Sequence, residues 1–284
     1  MSVGADPGRG SRILGDLRGS GQGSIWIATA STIVFAAIVV AVIVTSPGWP
    51  AVKKAFFNRE IFVDSFPEIA RAFLLNIRIF LIAEAVILVF ALLIAVLRGL
   101  PGPVFFPIRA LAVVYTDLFR GIPTILVIYI LGFGAPALQL SWLERFTPLF
   151  WGIVALVLVY SAYVAEVYRA GIESVHRSQE AAARSLGLSQ PQTLRFVIIP
   201  QAVRRVIPPL LNDFIGLQKD TVLVSYIGIV EIFRASQIKS AATFNFTPFM
   251  AVALVFIVIT IPLARFTDWL VERDRRRQAA LGLR

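Results

Sequence analysis

The chain of 284 residues is 57% hydrophobic and 15% charged, where a soluble domain carries about 25% charged residues, so the composition excludes an ordinary soluble domain. Its net charge is +10, but the arginines cluster between apolar runs, which is a topology signal and not a nucleic-acid-binding face. With no cysteine and a single histidine, His176, disulfides and Cys-based metal sites are excluded and an imidazole metal centre is not expected.

Residues 1–24 are rich in Gly and Ser and carry Arg9, Arg12 and Arg18, which predicts a flexible cytoplasmic tail. Ile25–Thr45 then holds 21 residues without a charge. As a helix that run is roughly 30 Å long, the thickness of a hydrocarbon core, and it is longer than the apolar core of a signal peptide. Residues 46–68 contain SPGWP and mixed charges and read as an exterior connection with room for a short interfacial helix.

A second span is predicted over 72–97, ended by Arg98 and GLPGP. The third lies within 107–132, but Arg109, Asp117 and Arg120 occupy its entry and only Ile122–Phe133 is cleanly apolar. The fourth covers 148–168, and a long polar segment, 169–205, follows it. The fifth starts near Val206 and is interrupted by Asn212, Asp213, Gln218, Lys219 and Asp220, which predicts a central position in the bundle with a break near Lys219. The sixth covers 248–270 and precedes the basic tail RDRRR. Runs of this length fit helices, because barrel strands are about ten residues long and alternate.

Six crossings put both termini on one side. The arginines at 98, 169, 177, 184, 195, 204, 205, 273, 275, 276 and 277 fall with the amino-terminal ones, whereas the other side holds Lys53, Lys54, Arg59, Arg71, Arg145, Arg234 and Lys239. The positive-inside rule therefore places both termini, and the segment 178–200, in the cytoplasm.

That segment, SQEAAARSLGLSQPQTLRFVIIP, reads as two short helices about a glycine turn. Ser178 is expected to cap the first and Glu180 to face the positive end of its dipole. Ala181, Ala182 and Ala183 favour helix, and Gly187 is the expected stop. Ser189 and Gln192 have capping-box spacing, with Pro191 in the first turn and Pro200 ending the second stretch. Small side chains on a short helix let a partner approach closely. A bland alternative is an interfacial loop that extends its arginines to lipid headgroups.

The stretch from Glu166 to Gly228 resembles the membrane subunit of bacterial ABC importers for polar amino acids. The family pattern is a Glu-Ala-Ala helix, a Gly, nine residues, and an apolar-x-apolar-Pro ending; Gly187, Val197, Ile199 and Pro200 keep that spacing. FRGIPTILVIY at 119–129 resembles the Arg-Gly-Thr-Pro stretch of the same family, with Ile122 in place of the Thr. The likeness covers about 65–272, a five-span core; residues 25–64 form an extra span and its connection, and 273–284 a basic cytoplasmic tail.

The resemblance implies an all-α polytopic permease of the type I importer fold in the bacterial cell membrane. In that family the segment is a coupling helix seated in a groove of a separate ATPase. Carried over, Ala182, Ala183 and Gly187 give the close packing, Arg184 lies at the rim, and Glu180 and Pro200 belong to the same segment. The family glutamate falls by count at Ala181, so Glu180 sits one residue early, about 100° around the helix. The implied partners are two copies of the ATPase, a second permease subunit, identical or homologous, and an extracytoplasmic amino acid-binding protein, with no nucleic acid involved. ATP and Mg are expected on the ATPase and no cofactor in this chain. A phosphate loop needs a Gly-Lys pair, and none of Lys53, Lys54, Lys219 and Lys239 follows a glycine.

Polar residues within the spans are the candidates for a substrate pathway. An ionisable group in a span, such as Glu84, is costly and marks either the path or a structural pair. Asp117 and Arg120, three apart, share a helical face and are placed to pair. Arg120 beside Gly121 and Pro123 also suits a substrate carboxylate where loosened backbone lines a cavity. Asn212 and Asp213 complete the set. The competing function is an autonomous secondary transporter or channel, which would show an internal repeat; none is visible. No serine–histidine–carboxylate arrangement points to an enzyme.

Overall fold

A computed structural model describes residues 22–280, with side chains for 26–273 and 276. Arg9, Arg12 and Arg18 of the expected tail lie outside the described residues, as do residues 281–284. The chain divides into two compact units, 1–57 and 58–284. In the first, α1 (Gln22–Val44) is apolar on every side, with Trp26 74% and Phe35 69% exposed, the pattern of a helix surrounded by lipid. The short α2 (Trp49–Phe56) starts with Pro50 in its first turn and carries Lys53 and Lys54 in its last.

In the second unit α3 (Arg59–Arg98) is the scaffold. Asn58 caps it, its Oδ1 accepting from the backbone N–H groups of Glu60 (3.0 Å) and Ile61 (3.2 Å). Forty residues make a helix of about 60 Å, twice the hydrocarbon thickness. Its buried positions Ile69, Phe73, Asn76, Ile79, Phe80, Ala83, Ile87, Ala91 and Ile94 recur every three or four residues, one stripe of a helix. That stripe packs mainly on α6 (Pro148–Glu173). Ala83 and Ala91 of α3 share one buried cluster with Ala155 and Ala165 of α6, and small residues of this kind let helices approach closely where lipid supplies no hydrophobic drive.

Among the described residues four helices, α1, α3, α6 and α11 (Thr247–Ala280), are long and apolar enough to cross a membrane, and two bent pairs, each taken as one span, bring the count to six. The first pair is α4 (Phe106–Gly121) with the segment from α5 (Thr124–Tyr129) through a π turn to Ala137, bent by 105°. Ile122, held extended (φ −97°, ψ 131°) before Pro123, makes the corner, because the α conformation clashes with a following proline. The third expected span is therefore a sharp corner and not a continuous helix.

The second pair, Gln190–Ile227 with Ile232–Thr243, bent by 53°, takes in the later part of the polar segment. α7 (Arg177–Ser185) is followed by α8 (Gln190–Thr193), a π turn over Leu194–Ile198, and α9 (Ile199–Asp220). Pro200 does not end a helix: it sits in the first turn of α9 and the helical path continues. The π turn shifts the hydrogen-bond pattern just before it, so the missing proline N–H breaks little. A 3₁₀ segment, Thr221–Ile227, and a left-handed Gly228 (φ 87°) then turn the chain into α10 (Ile232–Thr243). The interruption expected near Lys219 falls at Thr221.

Candidate functional site

A cavity of about 370 Å³ opens between α4, α6 and α9, lined by Arg120, Tyr163, Glu166, Arg205 and Asp213 among others. Two of the expected pathway residues, Arg120 and Asp213, meet here from helices far apart in sequence. The Arg120 guanidinium lies 5.8 Å from the ring centre of Tyr163, whose hydroxyl donates to the Arg120 carbonyl (3.2 Å). Among the described residues Asp117 is exposed and forms no ion pair with Arg120. The Oδ2 atom of Asp213 is buried without a hydrogen-bond partner, an expensive state for an acceptor unless something arrives to satisfy it.

The other charged groups of the cavity are already engaged. Glu166 accepts from Arg98 (2.8 Å) and from Arg169, and Arg169 also pairs with Glu173. The same Nη1 of Arg98 donates to Thr116 of α4 (3.0 Å), so this network ties α3, α4 and α6 together. Arg205 donates to the carbonyl of Ser174. Arg120 thus faces the cavity as a cation in no ion pair of the described residues, and Asp213 as a carboxylate with one unmatched oxygen. Glu84 is half-buried on α3 and is not among the residues that line the cavity. Asn212 is exposed and outside the lining.

At Gly171 the backbones of α6 and α9 come close: a Cβ there would fall on the side chain of Val206 and 3.5 Å from the Ala202 carbonyl. The glycine sets the helix separation beside the cavity. Further in, Tyr160 donates to Asp220 (2.9 Å), a second bond between the same two helices.

The polar segment has the two-helix form read from its sequence, with two changes: the second helix runs on past Pro200 into α9, and the first has a different cap. His176, not Ser178, caps α7, its Nδ1 accepting from the backbone N–H of Ser178 (3.2 Å). Gly187 adopts φ 85°, and Leu188 N–H bonds back to the Ala183 carbonyl (3.2 Å), the closing pattern of a helix ended by a left-handed residue. Gln192 accepts from Ser189 N–H (2.8 Å), as the capping-box spacing predicts. Ala182, Arg184 and Glu180 are exposed, as is Pro200, whereas Ala183 is turned into the chain at 5% exposure. Sequence reading missed Leu186, which projects from the turn at 85% exposure. A large apolar side chain held out at a polar turn is the signal that would have found it.

Sequence reading also missed Glu166 and Arg205, because charged residues at the polar end of a span look like ordinary boundary residues. Among the described residues no group of His, Asp and Glu could hold a metal ion.

Comparison with known proteins bears on this arrangement. The family described as binding-protein-dependent transport system inner membrane component matches residues 87–276. The probable glutamine ABC transporter permease protein GlnM of Bacillus subtilis (strain 168) is 35% identical over 217 residues, 76% of this chain and 97% of that protein. The arginine transport system permease protein ArtQ of the same organism is 34% identical over 60% of this chain and 76% of its own length. A solved amino acid ABC transporter with histidines is similar at a TM-score of 0.68 and 29% identity, covering 74% of this chain and 96% of that one. The MetNI methionine ABC transporter, at 16% identity and a TM-score of 0.56, shares the fold. With two-thirds of the sequence inside one family profile and a relative 35% identical over nearly its whole length, the chain belongs to the inner membrane components of binding-protein-dependent transport systems.

Proposed function

We infer that this chain is the permease subunit of an ATP-driven importer of polar amino acids and that the cavity holding Arg120 and Asp213 receives the substrate. The carrying observation is that one cavity brings together an arginine in no ion pair among the described residues and a carboxylate oxygen without a hydrogen-bond partner. A free amino acid carries a carboxylate and an ammonium at fixed spacing, and a guanidinium and a carboxylate satisfy both. Relatives named for glutamine and arginine support an amino acid, with side-chain selection left largely to a separate binding protein.

In this reading the segment 178–200 is cytoplasmic and docks a pair of ATPase subunits. Ala182 and Gly187 allow close approach, Leu186 supplies the apolar anchor, and Arg184 with Glu180 forms the rim. A second permease copy, identical or homologous, completes the pathway, and a binding protein delivers substrate outside. Both termini are cytoplasmic, and α1 is an added span before the transport core, a division supported by the family match at residues 87–276. ATP and Mg belong to the ATPase. Its closure pushes the segment and, through the unbroken helical path into α9, reshapes the cavity that α9 lines.

The test is affinity isolation from the native membrane in gentle detergent, followed by uptake in proteoliposomes. Recovery of an ATPase at comparable yield and ATP-dependent uptake of an amino acid are expected. Isolation of the chain without an ATPase, together with uptake that needs no ATP, would overturn the reading.

A further inference from the structure

The break between α9 and α10 is fastened by side chains that neither the cavity nor the polar segment uses. Glu231 is 0% exposed. Its carboxylate accepts from the backbone N–H groups of Phe233 (3.0 Å) and Arg234 (2.8 Å) and from Asn76 Nδ2 (2.9 Å). Asn76 lies on α3 at 2% exposure. Its amide also donates to Thr221 Oγ1 (3.1 Å) and accepts from Ile232 N–H (3.1 Å). Thr221 Oγ1 in turn donates to the Gln218 carbonyl (2.8 Å). One asparagine on the scaffold helix thus bonds both sides of the break, the end of α9 and the start of α10.

Capping alone does not account for this. A helix cap needs only the local N–H groups, and Ser, Thr or Asp would serve. Asn76 is 155 residues from Glu231 in sequence, and a buried polar pair in a lipid-embedded bundle is costly unless it fixes something. Around it the 3₁₀ segment is seated tightly: a Cβ on Gly132 would fall 2.5 Å from Ile227, and one on Gly152 would fall 3.0 Å from Val224.

What is fixed is one end of a lever. From Gln190 to Asp220 the helical path runs without interruption. Its first turns belong to the polar segment, its middle places Arg205 and Asp213 in the cavity, and its last residue precedes Thr221. Pro208 and Pro209 lie inside it and remove two ladder hydrogen bonds beside the cavity, where a bend costs least. A push at the first end, with the far end held, becomes a bend at the cavity; with the far end loose, it becomes a slide of the whole helix.

We propose that Asn76 and Glu231 are positioning residues that pin the outer end of α9 to α3, so that displacement of the polar segment is converted into movement at the cavity. The uptake part of the test rests on the importer reading; the distance part does not.

The test exchanges donor and acceptor. Asn76→Asp sets two carboxyl groups face to face and removes the donor to Glu231; Glu231→Gln alone keeps an amide oxygen that accepts from Asn76, and in the double variant the Gln amide donates to the Asp carboxylate, so the bond returns reversed. Glu231→Asp keeps a capping carboxylate but is one methylene short of Asn76, which separates capping from pinning. The chain has no cysteine, so spin labels at Leu74→Cys on α3 and Ala242→Cys on α10 report the pinned distance in the purified full chain. A single narrow distance is expected for the parent, Glu231→Gln and the double variant, and a broadened one for Asn76→Asp and Glu231→Asp. In proteoliposomes with ATPase and binding protein, uptake per ATP hydrolysed is expected to fall about ten-fold in Asn76→Asp and Glu231→Asp while ATP hydrolysis persists, and to recover when Glu231→Gln is added to Asn76→Asp. A purely structural role would lower assembly and hydrolysis together. A narrow distance and normal coupling in Glu231→Asp would reduce Glu231 to a cap and overturn the proposal, as would a double variant no better than its worse parent. Loss of uptake in the parent itself, with the distance pattern as expected, would count against the importer reading and leave the pin standing.

Discussion

Arg98, the last residue of α3, reaches Glu166 of α6 at 2.8 Å, and the same carboxylate is gripped from its own helix by Arg169. The two side chains of the first pair are only 15% and 23% exposed, and Thr116 takes a further bond from Arg98. Partly buried, with two cations on one anion, the cluster is dearer to break than a surface pair. Glu166→Ala leaves Arg98 without its anion beside the cavity. A loss of about 2 kcal/mol is expected, read as a lower Tm of the purified chain, with Glu166→Gln losing less because it still accepts from Arg98. Equal Tm values for the three proteins would remove the cluster from the stability of the bundle.

Gly187 tests the fold of the polar segment apart from its packing. At φ 85° nothing lies within 4 Å of a would-be Cβ, so a substitution there meets backbone strain and not a clash. Any L residue in that conformation costs about 1–2 kcal/mol. Gly187→Leu is therefore expected to fold but to distort the turn and lose most ATPase in co-purification. Leu186→Ala should weaken docking several-fold with no change in Tm, since its side chain touches little of its own chain. Normal co-purification of both variants would refute the assignment of this turn as the docking surface.

Arg120 and Asp213 are expected to act on affinity before rate. Arg120→Ala removes the cation offered to a substrate carboxylate, and uptake KM should rise about ten-fold or more with assembly intact. Arg120→Lys should recover only part, because an ammonium cannot reproduce the planar fork of a guanidinium or its seat on Tyr163. Asp213→Asn should raise KM for amino acids. Unchanged uptake kinetics in all three variants would move the binding site elsewhere.

How much of this was visible in the sequence depends on the kind of signal. The spans over α1, α6 and α11 were legible because some twenty apolar residues leave few alternatives in lipid. Gly187 and the Ser189–Gln192 spacing were legible because glycine and capping residues report local backbone needs. Pro200 misled, since its effect depends on a π turn that its neighbours form only in three dimensions. The choice of His176 over Ser178 as cap turned on one residue of register. Ile122–Pro123 signalled an irregularity, but a 105° corner is set by what α5 packs against. Of the pathway candidates, Arg120 and Asp213 share the cavity, whereas Asp117 and Asn212 are exposed elsewhere. Glu231 and Asn76 escaped notice for different reasons. The first lies between Ile229-Val230 and Ile232-Phe233, just past the end of the interrupted fifth span, so a reading of the spans stopped short of it, and the second is uncharged, so a search for ionisable groups passed over it. Only the distance between them identifies the pair.

Gly171 gives the strictest test of the geometry, because it makes a prediction that a loose bundle would fail. A methyl group at this position overlaps the Val206 side chain and approaches the Ala202 carbonyl. Both belong to α9, whose later turns carry Pro209 and Asp213 into the cavity. Gly171→Val must therefore push α9 away from α6 or force an off-rotamer Val206, at about 1–3 kcal/mol. The neighbouring contacts of α9 with α6, including Tyr160 to Asp220, resist a rigid shift, so the strain should fall on the turns that line the cavity. Lower Tm and reduced uptake are expected together. Val206→Ala removes the atoms that the new side chain strikes, so the double variant should recover a large part of both losses although Val206→Ala alone is mildly destabilising. The two residues are in contact, and a coupling energy of about 1 kcal/mol or more is the signature of that contact. Strictly additive effects in the double-mutant cycle would mean that α6 and α9 do not meet at this point, and the cavity beside them would have to be redrawn.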